Sequence, residues 1–186
     1  HLSIRRQRQM CIRDSATGGS GSNGGSGIFG WTTMEIAGTI KEAFGGNATG
    51  GDSTDGTGNG GDGIHSDGEF AISKSPSGDA NPNTIGTAKG GNGKSGGSGI
   101  FGKTMKIAVG IINQAIGGNS TGTDENDTGG SGISASESLT ISGNGWIQSA
   151  TGGSAKDGKA GDGIRSGKSF ITVSYTHLTL PTNREV

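Results

Sequence analysis

Cysteine is almost missing from this chain. Cys11 is the only one, so no disulfide can form within the chain and a cysteine-built metal site is excluded. Aromatic residues make up 4 % of the 186 positions and proline only three, which rules out an aromatic-rich core and a proline-rich linker. No apolar run approaches the roughly 20 residues that a membrane-spanning helix needs. With three histidines and a formal net charge of −1, little basic surface is left for a nucleic-acid backbone. What the chain has in excess is glycine, 42 residues of it.

The two ends carry a relation that no folded protein can select. Met10-Cys11-Ile12-Arg13-Asp14, written ATG TGT ATA AGA GAC, has the reverse complement GTC TCT TAT ACA CAT. That strand translates as Val173-Ser174-Tyr175-Thr176-His177, and the antisense pairing continues outward to His1 with Val186 and inward to Ser15 with Thr172. Base complementarity is invisible to a polypeptide. The pattern resembles the translated end of a sequencing adapter joined in opposite orientations to one DNA fragment. Segments 1–15 and 172–186 are therefore set aside as adapter-derived, and 16–171 is taken as an internal piece of a longer protein. The basic run Arg5-Arg6-Gln7-Arg8 and Cys11 lose their meaning with the flanks. The remaining 156 residues hold ten Lys+Arg against fourteen Asp+Glu, one histidine (His65) and one arginine (Arg165). All the glycines lie there, about 27 % of it, where roughly 7 % is usual.

An internal repeat organises this piece. The tetrad Gly-[Ser/Asp]-Gly-Ile begins at Gly25, Gly61, Gly97, Gly130 and Gly161, at spacings of 36, 36, 33 and 31 residues. Five or six positions after each tetrad isoleucine comes a large apolar residue: Met34, Phe70, Met105, Leu139 and Phe170. Ile36, Ile72, Ile107 and Ile141 follow two positions later, whereas Ile171 in the fifth copy comes one place early. A third apolar patch recurs at Ile40, Ile111-Ile112 and Trp146-Ile147.

The apolar-x-apolar spacing has period two and predicts short strands with one buried face. Met34–Phe44 and Thr104–Ile116 have some helical character, but Gly38 and Gly110 interrupt both. One strand set per repeat cannot bury its apolar side alone, and stacking the copies does so. Ile28, Ile64, Ile100, Ile133 and Ile164 would form one column, the Met/Phe/Leu positions a second, and Ile36, Ile72, Ile107 and Ile141 a third. The expected fold is all-β, a parallel β-helix of about four and a half coils. Its glycine-rich stretches are expected to provide tight turns and to leave as loops on one side.

The unit Gly130-Ser131-Gly132-Ile133, Leu139-Thr140-Ile141, Gly145-Trp146-Ile147, Gly152-Gly153 resembles the repeat of bacterial autotransporter passenger domains. The resemblance extends over about 140 of the 156 residues. The Phe-Gly-x-Thr segments of repeats 1 and 3 are less clearly strand-like, and repeat 2 contains an excursion with Pro76 and Pro82. The resemblance implies export to the bacterial cell surface, an outer-membrane barrel further along the parent chain, and adhesion to host-cell or matrix glycan or protein surfaces. The excess of acidic over basic residues in 16–171 argues against a nucleic-acid partner, and the lack of a long apolar run argues against membrane insertion by this segment.

Calcium is the ligand class with most support among the side chains. Asp124-x-Asn126-x-Thr128-Gly129 matches the first half of a calcium loop, but Ala135 stands where the bidentate acid belongs. Asp52, Asp55 and Asp62 also lie among glycines, yet His65 occupies an acid position of the nonapeptide calcium repeat. Solvated loop acids are the competing and preferred reading, so no resident metal or cofactor is expected. The Ser or Asp of each tetrad (Ser26, Asp62, Ser98, Ser131, Asp162) is expected to hydrogen-bond backbone N–H groups. His65 and Arg165 are expected to point outward as plain surface residues. No phosphate loop is present, since Gly91–Ser95 lacks the required glycine spacing. A polysaccharide lyase or hydrolase would need carboxylates converging from adjacent coils, whereas the outward positions read Glu35, Ala71, Lys106 and Thr140. The expectation is a display segment with no catalytic residue. The alternatives are an enzymatic β-helix segment and a disordered glycine-rich spacer, and the isoleucines kept in register weigh against the latter.

Overall fold

The computed structural model describes residues 15–49, 58–73 and 83–173, and within them the chain is a parallel β-solenoid of about four turns without a helix. Eleven strands are formed: β1 (Ser15–Thr17), β2 (Ile28–Gly30), β3 (Met34–Ile36), β4 (Thr39–Phe44), β5 (Ile64–Ile72), β6 (Thr84–Lys89), β7 (Ile100–Ile116), β8 (Ile133–Ile147), β9 (Ala150–Thr151), β10 (Ile164–Ser166) and β11 (Ser169–Thr172). All their pairings are parallel, each between successive coils. Every coil has three faces. The first follows the tetrad (β2, the start of β5, β7 and β8, then β10). The second follows a short corner (β3, the later part of β5, β7 and β8, then β11). The third comprises β4, β6, the end of β7, and the end of β8 with β9.

Inward side chains stack by identity. Ile28, Ile64, Ile100, Ile133 and Ile164 form one column, and Met34, Phe70, Met105, Leu139 and Phe170 a second. Ile36, Ile72, Ile107 and Ile141 form a third. Thr172, not Ile171, pairs with Ile141, so the early isoleucine of the fifth copy faces out opposite Thr140. On the third face Ile40, Ile85, Ile112 and Ile147 are in register, and beside them runs a column of five alanines, Ala16, Ala43, Ala88, Ala115 and Ala150. Ile64, Phe70, Ile72, Ile85, Ile100, Met105, Ile107, Ile112, Ile133 and Leu139 are fully buried. Each full burial of such a side chain contributes about 1.5–3 kcal/mol. β-branched side chains fit this pleated, stacked surface.

Corners between the faces have local causes. Ser66 Oγ donates to the Glu69 carbonyl at 3.1 Å, and the equivalent Ser166 donates to Ser169 at 2.5 Å, closing the bend between the first and second faces. Between the second and third faces, Gly38 and Gly110 have φ of +150° and +140°, values that side-chain-bearing residues rarely adopt. These two glycines turn an extended chain; they do not interrupt a helix. Repeat 3, with its Phe-Gly-x-Thr segment, forms the longest strand of all, β7, because it is paired along its length on both sides.

Most of the paired glycines are not in loops, which differs from expectation. After the third face each coil passes through Gly-Gly-Asn or Gly-Gly-Ser: Gly18–Ser20, Gly45–Asn47, Gly90–Asn92, Gly117–Asn119 and Gly152–Ser154. These segments lie directly against the glycines that open the tetrads. A zigzag of hydrogen bonds links the two layers from Gly19 through Gly25, Gly46, Gly61, Gly91, Gly97, Gly118, Gly130 and Gly153 to Gly161, each 2.7–2.9 Å. The preceding glycines send their N–H groups along the solenoid axis instead, as Gly90 does to the Ile116 carbonyl at 2.8 Å. A Cβ on Gly97 would lie 2.1 Å from the Gly61 carbonyl oxygen, and one on Gly118 1.9 Å from that of Gly91. Glycine is required because two backbones occupy the space in which side chains would normally separate them. Each coil therefore narrows from an apolar prism to a backbone-on-backbone tip. The connections from one coil to the next leave from that tip, whereas the excursion of repeat 2 lies between the second and third faces.

Candidate binding face

The outward column of the first face is Phe29, His65, Phe101, Ser134 and Arg165. In-register parallel pairing brings like positions close enough for rings to stack. His65 lies between Phe29 and Phe101, with centroids 5.1 and 4.7 Å away and interplanar angles of 15° and 22°. Trp31 meets Phe29 edge-on at 5.0 Å and is 79 % exposed.

Both ring nitrogens of His65 face carboxylates. Nδ1 is 2.5 Å from Asp62 Oδ2 and Nε2 is 2.9 Å from Asp67 Oδ1. Carboxylates only accept, so satisfying both contacts requires a proton on each nitrogen, the imidazolium form. The hydrogen bond to Asp62 raises the His65 pKa most; burial opposes it and Asp67 adds to the rise. A cation between two phenyl faces within about 6 Å also gains cation–π attraction. The tetrad acid Asp62 has a second role, since its Oδ1 accepts the Ser98 N–H of the next coil at 2.5 Å. His65 is thus a half-buried side chain clamped across three coils, with its charged form favoured by both carboxylates, whereas period-two reasoning makes it a plain surface residue. Arg165 lies on the same column, beyond Ser134, and is exposed.

The acidic loop considered for calcium contains its own cation. Lys94 Nζ lies 3.5 Å from Asp124 Oδ2 and 3.8 Å from Asp127 Oδ1. Asp127 is buried and its Oδ2 accepts the Asp124 N–H at 3.1 Å. Asn126 is exposed beside them. Lys94 thus places a positive charge beside both carboxylates. Asp52 and Asp55 lie outside the described residues. Among the described residues no group of three or more His, Cys, Asp or Glu side chains is placed to hold a metal. On the second face the outward positions Glu35, Ala71, Lys106 and Thr140 stack in one column. They bring together one acid and one cation, two coils apart.

A side-chain ladder was legible only as the recurring Gly-Gly-[Asn/Ser]. Asn47 Oδ1 accepts the Asn92 N–H, Asn92 Oδ1 that of Asn119, and Asn119 Oδ1 that of Ser154, at 2.8–2.9 Å. Ser20 Oγ begins the series by accepting from Asn47 N–H at 3.2 Å. Each amide ties its coil to the next at the base of the loops. The signal is obscured in sequence because its spacings, 27, 45, 27 and 35 residues, are far less even than those of the tetrads.

The outer surface is therefore a register-locked wall with polar loops at its glycine tip. Comparison with protein-family models, with curated proteins and with solved structures finds no match to this chain.

Proposed function

We propose that the chain is a display segment of a surface-exposed or secreted bacterial β-helix adhesin, which binds host-cell or matrix surfaces through loop and wall contacts without catalysis. The observation carrying this reading is the separation of a constant frame from variable connections. Between the second and third faces the first coil uses two residues, Ala37 and Gly38, and the second uses residues 73–83. The third coil passes directly from one face to the other within β7. Even so, Ile40, Ile85 and Ile112 remain in one column. Length changes are thus absorbed at the edges while the stack stays fixed, a property suited to presenting different loops on one rod. The autotransporter resemblance supports the cell-surface location.

Multivalent contact provides the test. The purified chain, coupled densely to beads, is expected to be retained on matrix-protein and glycan surfaces in proportion to coupling density, leaving the glycans intact. Retention no greater than that of bare beads would sink the adhesin reading. Shortened glycan products would replace it with the lyase or hydrolase alternative. A read through the source locus adds an independent check: a frame continuing through further tetrads to amphipathic barrel strands supports export by this route.

A further inference from the structure

The third face has a groove of about 360 Å³ on its outward side, lined by Gly86, Thr87, Asn113, Gln114, Gln148 and Ser149. Its origin lies in the local register. Thr87 pairs with Gln114, and the isoleucine and alanine columns on either side put Asn113 level with Gln148 and Gln114 level with Ser149. Two consecutive residues of each coil, such as Asn113 and Gln114, lie between inward positions Ile112 and Ala115 and turn away from the core. Gly86, level with Asn113, has no side chain, because a Cβ there would lie 2.2 Å from the Lys41 carbonyl oxygen of the preceding coil. Gln148 and Ser149 also border the open end of the stack, a cavity of about 650 Å³ whose wall includes Trp146 and, on its far side, Thr172 and Val173 of the adapter-derived flank. Trp146 pairs with Ile111 on the outward side and is 64 % exposed.

We propose that this groove, with Trp146 at its edge, binds a neutral oligosaccharide. The inference rests on the display reading and names its ligand class. None of the six lining residues ionises, and the charges next in register, Lys41 beside Gly86 and Glu42 beside Thr87, are of opposite sign, so a uronate or a charged peptide would find no net counter-charge there. Asn113, Gln114 and Gln148 present donors and acceptors together, and Thr87 and Ser149 each supply a hydroxyl that does both. That balance suits a ligand whose every hydroxyl also donates and accepts. Thr87 Oγ1 lies 3.4 Å from Gln114 Oε1, a long contact that a sugar hydroxyl can replace. The exposed indole offers the broad apolar surface against which the C–H face of a pyranose packs. Strand addition by a peptide is not available at the centre of this face, because β6 is paired with β4 and β7, and β7 with β6 and β8.

The test titrates the full chain with neutral gluco-, manno- and xylo-hexaoses, a uronate hexaose and an uncharged peptide of equal length. At least one neutral hexaose is expected to bind. Trp146→Ala and the double variant Asn113→Ala/Gln148→Ala are each expected to weaken that binding at least about tenfold, with unchanged circular dichroism. In Trp31→Phe the only tryptophan left is Trp146, so its fluorescence should shift on titration in a protein with an intact groove. Equal binding by the variants, a preference for the uronate or the peptide, or a silent Trp146 would overturn the assignment. If beads still adhere while no saccharide binds, the groove assignment fails and the display reading survives. Beads that adhere to nothing remove both.

Discussion

Replacing Gly97 with alanine tests the backbone-on-backbone tip directly. The new methyl carbon would lie 2.1 Å from the Gly61 carbonyl oxygen, 2.5 Å from its carbon and 2.7 Å from the Gly60 oxygen. Ordinary contact requires about 3.5 Å, so the two layers must separate locally by more than an ångström. None of these obstacles is a flexible side chain that could swing away. Separation lengthens the bond from Gly91 N–H to Gly61 O, 2.7 Å, and that from Gly118 N–H to Gly97 O, 2.8 Å. Overpacking costs about 1–3 kcal/mol, and each weakened hydrogen bond about 0.5–1.5 kcal/mol. The narrower conformational freedom of unfolded alanine returns only about 0.4–1 kcal/mol. The net expectation is a loss of about 1–5 kcal/mol. Gly19→Ala is the control, because a Cβ there meets nothing within 4 Å, and its stability should match or slightly exceed the original. Urea denaturation followed by far-ultraviolet circular dichroism measures both. If Gly97→Ala unfolds at the same urea concentration as Gly19→Ala, the glycines are ordinary turn formers and the account of the tip is wrong.

Further expectations follow from the columns and the histidine clamp. Ile100 is fully buried between Ile64 and Ile133, so Ile100→Asp should abolish cooperative unfolding, since an unpaired charge there costs several kcal/mol; an unchanged circular-dichroism spectrum would refute the column. The folded-state pKa of His65 is raised, so its stabilisation is fully present below the unfolded value of about 6.5 and is lost as pH rises through the folded value. Melting temperature should therefore fall on going from mildly acidic to mildly alkaline buffer, and His65→Phe should flatten that slope; a wild-type profile that rises over this window contradicts the clamp. Asn92→Ala removes the acceptor of the Asn119 N–H and should cost about 0.5–1.5 kcal/mol, whereas Asn92→Asp, which keeps an acceptor, should recover most of that in the same denaturation assay.

The sequence by itself determined the class of fold and the order of its coils. Period-two alternation and a recurring tetrad are local properties, and an apolar face that one repeat cannot bury leaves stacking as the solution. Ile28, Ile64, Ile100, Ile133 and Ile164 can thus be picked out without coordinates, because their positions relative to the tetrads never vary. Tertiary structure decided whatever depends on a partner from another coil. Ile85 belongs to the third-face column, but a long excursion separates it from Ile72 and removes its periodic signature. Gly97 looks like any turn glycine until Gly61 is found 2.1 Å from its missing Cβ. His65 reads as a surface residue because its stacking partners, Phe29 and Phe101, are each 36 positions away, although Asp62 and Asp67 lie close by in sequence. Lys94 lies near Asp124 and Asp127 across the same kind of gap and sets a cation beside acids that the loop's composition offers to calcium. Side-chain periodicity records which way a residue faces. What it faces is fixed only when parallel pairing sets one coil upon the next.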